Sequence, residues 1–411
     1  MSLAEELRWR GAVQDASAPL EQLLDAGPRV FYIGFDPTAD SLHVGNLLGI
    51  VLARRLIDAG HRAILVAGGA TGMIGDPSGR SSERVLLDPA TLRHNTARIA
   101  GQLQRLLGDV VPGAVTLEDN RTWLEPLTLI GFLRDIGKHV PVSAMLARES
   151  IRTRLGGEGL SFTEFSYMIL QAVDFVELHR RYGCTLQLGG SDQWGNIAAG
   201  IDLVRRLDGH EVHGLTWPLV TKADGTKFGK SMGGNVWLDE DRTSPYELYQ
   251  FFVRAEDQKV MEYVALYTFL SFDEIAALRT AHEDDPSRRI AHRRLAWEVV
   301  RFVHGEAAAD QAAEAARALF EGGRAEAGAP VVTLERAAFG DGIDVIDLAL
   351  AAGLARSRSE ARRLIAQGGL YVDGRRALEG QRVSQADLTD GHLTLRRGKR
   401  DWVVVRLNDA N

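Results

Sequence analysis

Among 411 residues there is one cysteine, Cys184. That excludes an intrachain disulfide and any cysteine-rich zinc site, and it fits a reducing compartment. No apolar run approaches the ~20 residues of a membrane span. The opening stretch, MSLAEELRWRGAVQDAS, has neither the apolar core of a signal peptide nor the acid-poor character of a transit peptide. A cytoplasmic protein with no membrane partner is expected. No GxGxxG follows the first predicted strand, so a dinucleotide fold lacks its fingerprint. Gly189-Gly-Ser-Asp-Gln193 lacks the last glycine of a GxSxG elbow, and His282-Glu-Asp-Asp-Pro286 lacks the second histidine of HExxH. Hydrolases and metalloproteases of those kinds are set aside, and no dedicated metal site is expected.

What is present is ordinary in bulk and uneven along the chain. Apolar residues make up 45% and charged residues 25%, globular values at a length that calls for two or three domains. The net charge is -7. From Ile343 onward, however, twelve Arg and Lys face nine Asp and Glu, giving +3 and leaving -10 on the first 342 residues. A modest basic tail is therefore carried on an acidic body.

The stretch Val30 to Leu48 has the clearest local design. Val30, Phe31, Ile33 and Phe35 suit a buried strand, Asp36-Pro37 breaks it, and Asp40 or Ser41 is placed to cap a helix from Leu42 to about Ala59. At that helix start the first-turn amides point outward, Gly45 lets a large group approach, and His43 and Asn46 share a face. Such a site suits an anionic phosphate, although strand, turn and capped helix also occur in any α/β protein. A strand at Ala63 to Ala67 follows, then a glycine-rich loop over 68–84, a helix at Thr91 to Leu107 and a short strand at Val115 to Leu117.

From there to Tyr182 the pattern is mainly helical. Ser161-Phe-Thr-Glu164 fits a capping box, and it puts Tyr167, Gln171 and Asp174 on one helical face. Strands are expected at Cys184 to Leu188 and Leu215 to Val220, with a helix between them reaching Leu207. Polar, glycine-rich loops follow both strands, the position where open parallel sheets bind ligands. The second loop, over 221–234, nearly imitates a P-loop at Gly229-Lys-Ser231, but the first glycine required is Asp224. It still carries Lys227 and Lys230, which can swing onto a phosphate or simply form a solvated basic turn. Trp123, Trp217 and Trp237 are expected to pack, and His61, His94, His179 and His304 to lie at the surface or be satisfied internally.

Taken in order, GFDPTADSLH, GGATGMIGDPSG, SFTEFSYMILQAVDF, LGGSDQWGN, TKADGTKFGKS and TSPYELYQF resemble the bacterial-type tyrosyl-tRNA synthetases along essentially the entire chain. His43-Val-Gly-Asn46 is similar to the HIGH region of class I aminoacyl-tRNA synthetases, and Lys227-Phe-Gly-Lys-Ser231 to their KMSKS loop. Ala355-Arg-Ser-Arg-Ser-Glu-Ala-Arg-Arg-Leu-Ile365 and Tyr371-Val-Asp-Gly374 resemble an S4 RNA-binding domain. The resemblance implies an α/β fold with a Rossmann-like parallel-sheet catalytic domain over 1–220. A helical insertion at about 118–183 would form a homodimer interface. A connector at 221–243, an α-helical anticodon-binding domain at 244–320, a linker at 321–342 and a small α+β S4-like domain at 343–411 complete the expected organisation.

By the same resemblance the substrates are L-tyrosine, ATP carrying Mg2+, and tRNA(Tyr). Thr38, His43, Lys227 and Lys230 would serve catalysis, with Arg80 and Arg84 as further phosphate donors. Tyr32 and Asp174 would meet the tyrosine hydroxyl, Asp76, Tyr167 and Gln171 the ammonium, and Gln187 would complete the amino-acid pocket. Asp36, Gly45, Asn46, Gly190, Asp192 and Gln193 would hold ATP around the reacting centre. Arg356, Arg358, Arg362, Arg363, Arg396, Arg397, Lys399 and Arg400 are phosphate candidates for RNA. A tryptophanyl enzyme of the same subclass, or a non-catalytic RNA-binding protein on a synthetase scaffold, would share much of this pattern.

Overall fold

Most strand-forming runs of the first 220 residues assemble into one mainly parallel sheet with the run Val30–Phe35 near its centre. The computed structural model describes residues 1–78, 86–108, 110–148, 151–152, 155, 159–231, 234–320, 331–335, 339, 342–388, 391–398 and 401–408. Contacts divide the chain into two compact units, Met1–Arg242 with Ala255–Leu295, and Thr243–Arg254 with Ala296–Asn411. The helical stretch expected over 244–320 is shared between them. Among the described residues no helix is long and apolar enough to cross a membrane.

The main sheet of the first unit contains β1 (Asp15–Ala16), β2 (Val30–Phe35), β3 (Arg62–Ala67), β4 (Val115–Asp119), β5 (Leu186–Gly190) and β6 (His213–Trp217). Their order is β1-β6-β5-β2-β3-β4, with β1 antiparallel to β6 and the other pairs parallel. After β2 the chain adds β3 and β4 on one side, then crosses to add β5 and β6 on the other. The order thus reverses between β2 and β5, which opens a crevice at their carboxyl ends. This is the expected Rossmann-like α/β arrangement. Phe31, Tyr32, Ile33, Ala63 to Val66 and Leu186 are buried, as a sheet covered on both faces requires.

Two strands differ in extent from the sequence expectation, for local reasons. β5 begins at Leu186, because Cys184 still belongs to the turn after the preceding helix, where its carbonyl lies 2.9 Å from His179 Nδ1. It then runs through Gly189 and Gly190, which pair with Thr216 and Trp217 of β6. Backbone pairing overrides the low strand preference of glycine there. β6 runs from His213 to Trp217 and stops at Pro218, whose nitrogen has no hydrogen to donate.

Around the sheet lie α1 (Val44–Asp58), α2 (Pro89–Leu103), α3 (Phe162–Tyr182) and α4 (Trp194–Asp208). Ser161 caps α3 by accepting from the Glu164 amide at 3.3 Å. α3 packs along α4, and Val173, Phe175, Val176, Leu203 and Val204 join Tyr32 and Ile64 in one apolar cluster. Three further helices belong to the helical segment after the lysine loop: α5 (Val260–Tyr267), α6 (Phe272–Asp284) and α7 (Ile290–His304).

In the second unit, the strands Arg375–Arg376, Leu370–Val372, His392–Arg397, Asp401–Asn408 and Val331–Glu335 form a sheet in that order. Only the last pair is parallel. Residues 331–335, expected as linker, are therefore an edge strand of this sheet. Val345, Leu348, Ala361, Ile365, Leu370, Leu393 and Leu395 form the core beneath helices Val345–Ala351 and Arg358–Ala366.

One buried cation ties the first unit together. Arg10 donates to Glu6 Oε1 at 2.8 Å and to the carbonyls of Ala265 and Leu270 at 2.9 and 2.6 Å, while Arg55 reaches Glu6 and the Thr268 carbonyl. The guanidiniums thus satisfy carbonyls at the C-terminal end of α5, where the helix dipole favours positive charge. Arg10→Met would leave those carbonyls and Glu6 short of partners, and we expect it to lower unfolding free energy by about 2–3 kcal/mol. Urea denaturation checks this; a change under about 0.5 kcal/mol would overturn it.

Candidate active site

A cavity of about 340 Å3 opens in the crevice at the carboxyl ends of β2 and β5. It brings together Tyr32, Asp36, Thr38, His43, Gly45, Asn46, Asp76, Tyr167, Gln171, Asp174, Gln187, Gly190, Asp192 and Gln193. β2 and β5 supply Tyr32, Gln187 and Gly190, the turn after β2 supplies Asp36, and α3 supplies Tyr167, Gln171 and Asp174. A wider depression of about 440 Å3 beside β3, β4 and α2 contains none of these residues.

At its mouth the cavity meets the start of α1, where the structure corrects the expected cap. Neither Asp40 nor Ser41 caps the helix. Asp40 pairs with Arg242, and the buried Ser41 hydroxyl donates to the Leu42 carbonyl. His43 is the cap. Its Nδ1 accepts from the Gly45 amide at 3.0 Å, while Asn46 Oδ1 accepts from the His43 amide at 3.1 Å. In the neutral ring the proton then lies on Nε2, which makes that nitrogen the donor side. A Cβ on Gly45 would come within 2.7 Å of the His43 ring, so glycine is what lets the ring fold back.

The lysine loop is built onto the same helix start. The Val44 amide donates to the Val236 carbonyl at 2.8 Å, His43 bridges Trp237, and Gly229, with φ 109°, lies so close that a Cβ there would be 3.1 Å from the Gly45 nitrogen. Phe228 packs inward against Tyr263, and Lys227 is exposed. Burial and the Asp76 charge raise Asp192, while Lys227 pulls it back down, which puts this lysine within electrostatic reach of the cavity. Lys230 pairs its backbone with Asn235, and its side chain lies outside the described residues. Arg80, Arg84, Lys399 and Arg400 also lie outside them.

The inner end is a network of buried carboxylates. Asp174 Oδ1 accepts from Trp123 Nε1 at 2.8 Å and Oδ2 from Asn120 Nδ2 at 3.1 Å. Asp36 accepts from the Tyr167 hydroxyl and from Thr71 Oγ1, both at 2.9 Å. Asp76 accepts from Gln193 Nε2 at 2.7 Å and from the Ser78 amide at 2.9 Å, and Asn196 links Gln171 and Gln193. Against this saturation, the Tyr32 hydroxyl and Gln187 Oε1 are buried with no hydrogen-bond partner among the described residues. Burial first, and then the Asp174 charge, keep the Tyr32 phenol protonated well above its usual range. Burial pushes Asp174 up to about 7, against the pull of Trp123 and Asn120.

Sequence reasoning missed Asn120, Thr71 and Asn196, and it assigned Trp123 to packing alone. Asn120 does follow the carboxyl end of β4, a position that open parallel sheets use for ligands, but nothing in the sequence joins it to Asp174. Trp217, also expected to pack, lines the cavity. In the second unit, Arg356, Arg358, Arg362 and Arg363 are exposed on or beside the helix Arg358–Ala366. Arg358 pairs with Asp347 at 2.9 Å, Arg397 with Glu360 at 3.0 Å, and Arg396 lies over the Tyr371 ring at 3.8 Å.

Raising Asp174 in the folded state has a definite sign. Its proton stabilises the fold below the unfolded value of about 3.9, and that contribution is lost as pH rises through about 7. Asp174→Asn is therefore expected to gain stability relative to the parent between pH 5 and pH 8. Urea midpoints at the two pH values check this, and an identical difference at both would overturn it.

Residues 25–321 match the family model for tRNA synthetases class I (W and Y), and residues 346–388 match the S4 domain. The chain is 47% identical over 422 residues to a tyrosine–tRNA ligase of Roseiflexus castenholzii, covering 99% of each, and 49% identical over 420 residues to one of Mycobacterium tuberculosis, covering 98% of each. A C-terminally truncated mitochondrial tyrosyl-tRNA synthetase of Aspergillus nidulans superposes with a TM-score of 0.69 at 33% identity, over 78% of this chain and 94% of that one. A tryptophanyl-tRNA synthetase of Encephalitozoon cuniculi shares the fold, with a TM-score of 0.56 at 13% identity, over 75% of this chain and 87% of that one. With the site at the switch point of its sheet and an S4 domain at its C-terminal end, the chain belongs to the class I tRNA synthetases of the tryptophan and tyrosine group.

Proposed function

We propose that this enzyme activates L-tyrosine with ATP and transfers the tyrosyl group to the 3′ end of tRNA(Tyr). The observation that carries this reading is the unpartnered Tyr32 hydroxyl beside Asp174 at the closed end of the cavity. A substrate phenol can donate to the carboxylate and accept from Tyr32 at once, whereas an indole N–H only donates and a phenylalanine ring does neither. An analogue lacking the hydroxyl would leave buried polar groups unpaired, which is how such sites discriminate. The relatives' names agree with tyrosine as substrate.

In the first step a tyrosine carboxylate oxygen attacks the α-phosphorus of ATP, the bond to the bridging oxygen breaks, and pyrophosphate leaves. In the second, a terminal ribose hydroxyl of tRNA attacks the acyl carbon and AMP departs. The carboxylate is already a nucleophile, so the protein's part is positioning and charge stabilisation. Asp76, Tyr167 and Gln171 hold the ammonium, and Gln187 borders the amino acid. Asp36 and Gln193 lie beside the reacting centre, and Gly190 and Asp192 take the ribose side. Thr38 and His43, with Gly45 and Asn46 at the helix start, receive phosphate. Lys227 and Lys230 neutralise charge that grows in the transition state, and Mg2+ arrives on the ATP phosphates.

For the larger partners we assign tRNA contacts to the helical segment and to the basic face around Arg356, Arg362 and Arg363. Assembly as a homodimer is supported by large apolar side chains left exposed in the 118–183 insertion, Leu129, Ile130, Leu133 and Val142 among them, with Leu129 73% exposed. A reducing cytoplasm is the setting proposed for a chain with one cysteine.

Pyrophosphate exchange from ATP, run with each of the twenty amino acids, tests the assignment: tyrosine alone is expected to support it, and exchange with tryptophan or with none would overturn it. In the same assay Lys227→Ala should lower the rate about 100-fold with a small change in tyrosine KM. For the assembly, Leu129→Asp with Ile130→Asp should give a monomer by sedimentation; an unchanged sedimentation coefficient at micromolar concentration would refute the proposed interface.

A further inference from the structure

Three residues with metal-ligand chemistry converge in the helical segment of the first unit. Asp257 lies in the turn before α5, His282 in the last turn of α6, and His292 in the first turn of α7. One ligand atom from each lies within 4.8 Å of the other two. His292 Nε2 is 3.0 Å from Asp257 Oδ1, and the two imidazoles meet edge to face with centroids 5.3 Å apart.

Their hydrogen bonding sets these histidines apart from others in the chain. His282 is 6% exposed and His292 fully buried, yet among the described residues Nδ1 of the first and both ring nitrogens of the second complete no hydrogen bond, Nε2 of His292 having only its ion pair with Asp257. His61, equally buried, shows the ordinary solution: its Nδ1 accepts from the Arg29 amide and its Nε2 meets the Leu24 carbonyl, each at 3.1 Å. Leaving buried ring nitrogens without a completed hydrogen bond is unfavourable, and here it occurs where the Asp257 carboxylate reaches in from the surface to pair with His292. A divalent cation would use the unpaired nitrogens and the carboxylate together. The Ala255 carbonyl, which accepts from Arg289 Nη2 at 3.2 Å, also lies near His292, where an oxygen of this kind can orient a ligating ring. Arg289 is the competing cation. Its nearest nitrogen stands 3.5 Å from Asp257 Oδ1, longer than a charge-assisted hydrogen bond, and both side chains are open enough to part.

We propose that Asp257, His282 and His292 form a zinc site that clips the turn before α5 to the facing ends of α6 and α7. Two imidazoles and a carboxylate suit this borderline-soft ion, and water on the exposed Asp257 side completes four ligands. The site belongs to the folded segment and takes no part in the adenylation chemistry. Its effect is structural, because metal that binds only the folded state stabilises that state.

The test uses the full chain, purified without a histidine tag, stripped with EDTA and dialysed against micromolar zinc. Atomic emission is expected to find one zinc per chain in the parent and less than a tenth of that in His292→Gln and Asp257→Asn. Zinc at about 100 times its Kd should raise Tm by about 5 °C in the parent and leave both variants unmoved. Cobalt in place of zinc should give the visible bands of a tetrahedral site only in the parent. Tyrosine-dependent pyrophosphate exchange in the variants reports that the fold is intact. Asp257→Asn alters an exposed side chain and serves if the buried substitution fails to fold. Substoichiometric zinc in the parent, or equal zinc in the parent and a folded variant, would overturn the site.

Discussion

The site depends on one constraint: carboxylates placed inside a sheet crevice must be met by donors. Asp174 is buried at the foot of the cavity and is tolerated because Trp123 and Asn120 donate to its two oxygens. Asn120 also donates to Thr71 and accepts from the Ala70 amide, and Thr71 in turn donates to Asp36. The glycine-rich loop, the end of β4 and the inner face of α3 are thereby locked into one arrangement before any ligand arrives. Against this network, the Tyr32 hydroxyl stands out as a buried polar group without a hydrogen-bond partner among the described residues.

The other end of the cavity is organised by backbone geometry. His43 closes the first turn of α1 with its own ring, Gly45 makes room for that ring, and Gly229 brings the lysine loop against the same turn. The helix start and the loop position are thus coupled through two glycines, where a side chain would occupy the contact. The switch in strand order between β2 and β5 puts this end and the Asp174 end within one cavity.

Much of this was legible before the structure. The buried run at Val30 to Phe35 and the helical phase of Tyr167, Gln171 and Asp174 are periodic or local signals, and both appear where the residues place them. Cap identity and strand ends were less legible. Asp40 and Ser41 are good caps by residue type, yet a cap is chosen by the path of the incoming chain, which here delivers His43. Gly189 and Gly190 are poor strand residues, yet β6 lies alongside and pairs with them. Residues 331–335 have linker neighbours in sequence and a strand neighbour in space.

The amino-acid sequence by itself determined the α/β class, the helix face that lines the site, the two lysines and the basic tail, because each depends on residue type and spacing over short stretches. Only the tertiary structure decided that Asn120 and Trp123 hold Asp174, that the Tyr32 hydroxyl finds no hydrogen-bond partner among the described residues, and that His282, His292 and Asp257 converge. Those are contacts between segments from 10 to more than 50 residues apart, and no local pattern encodes which distant donor reaches which buried acceptor.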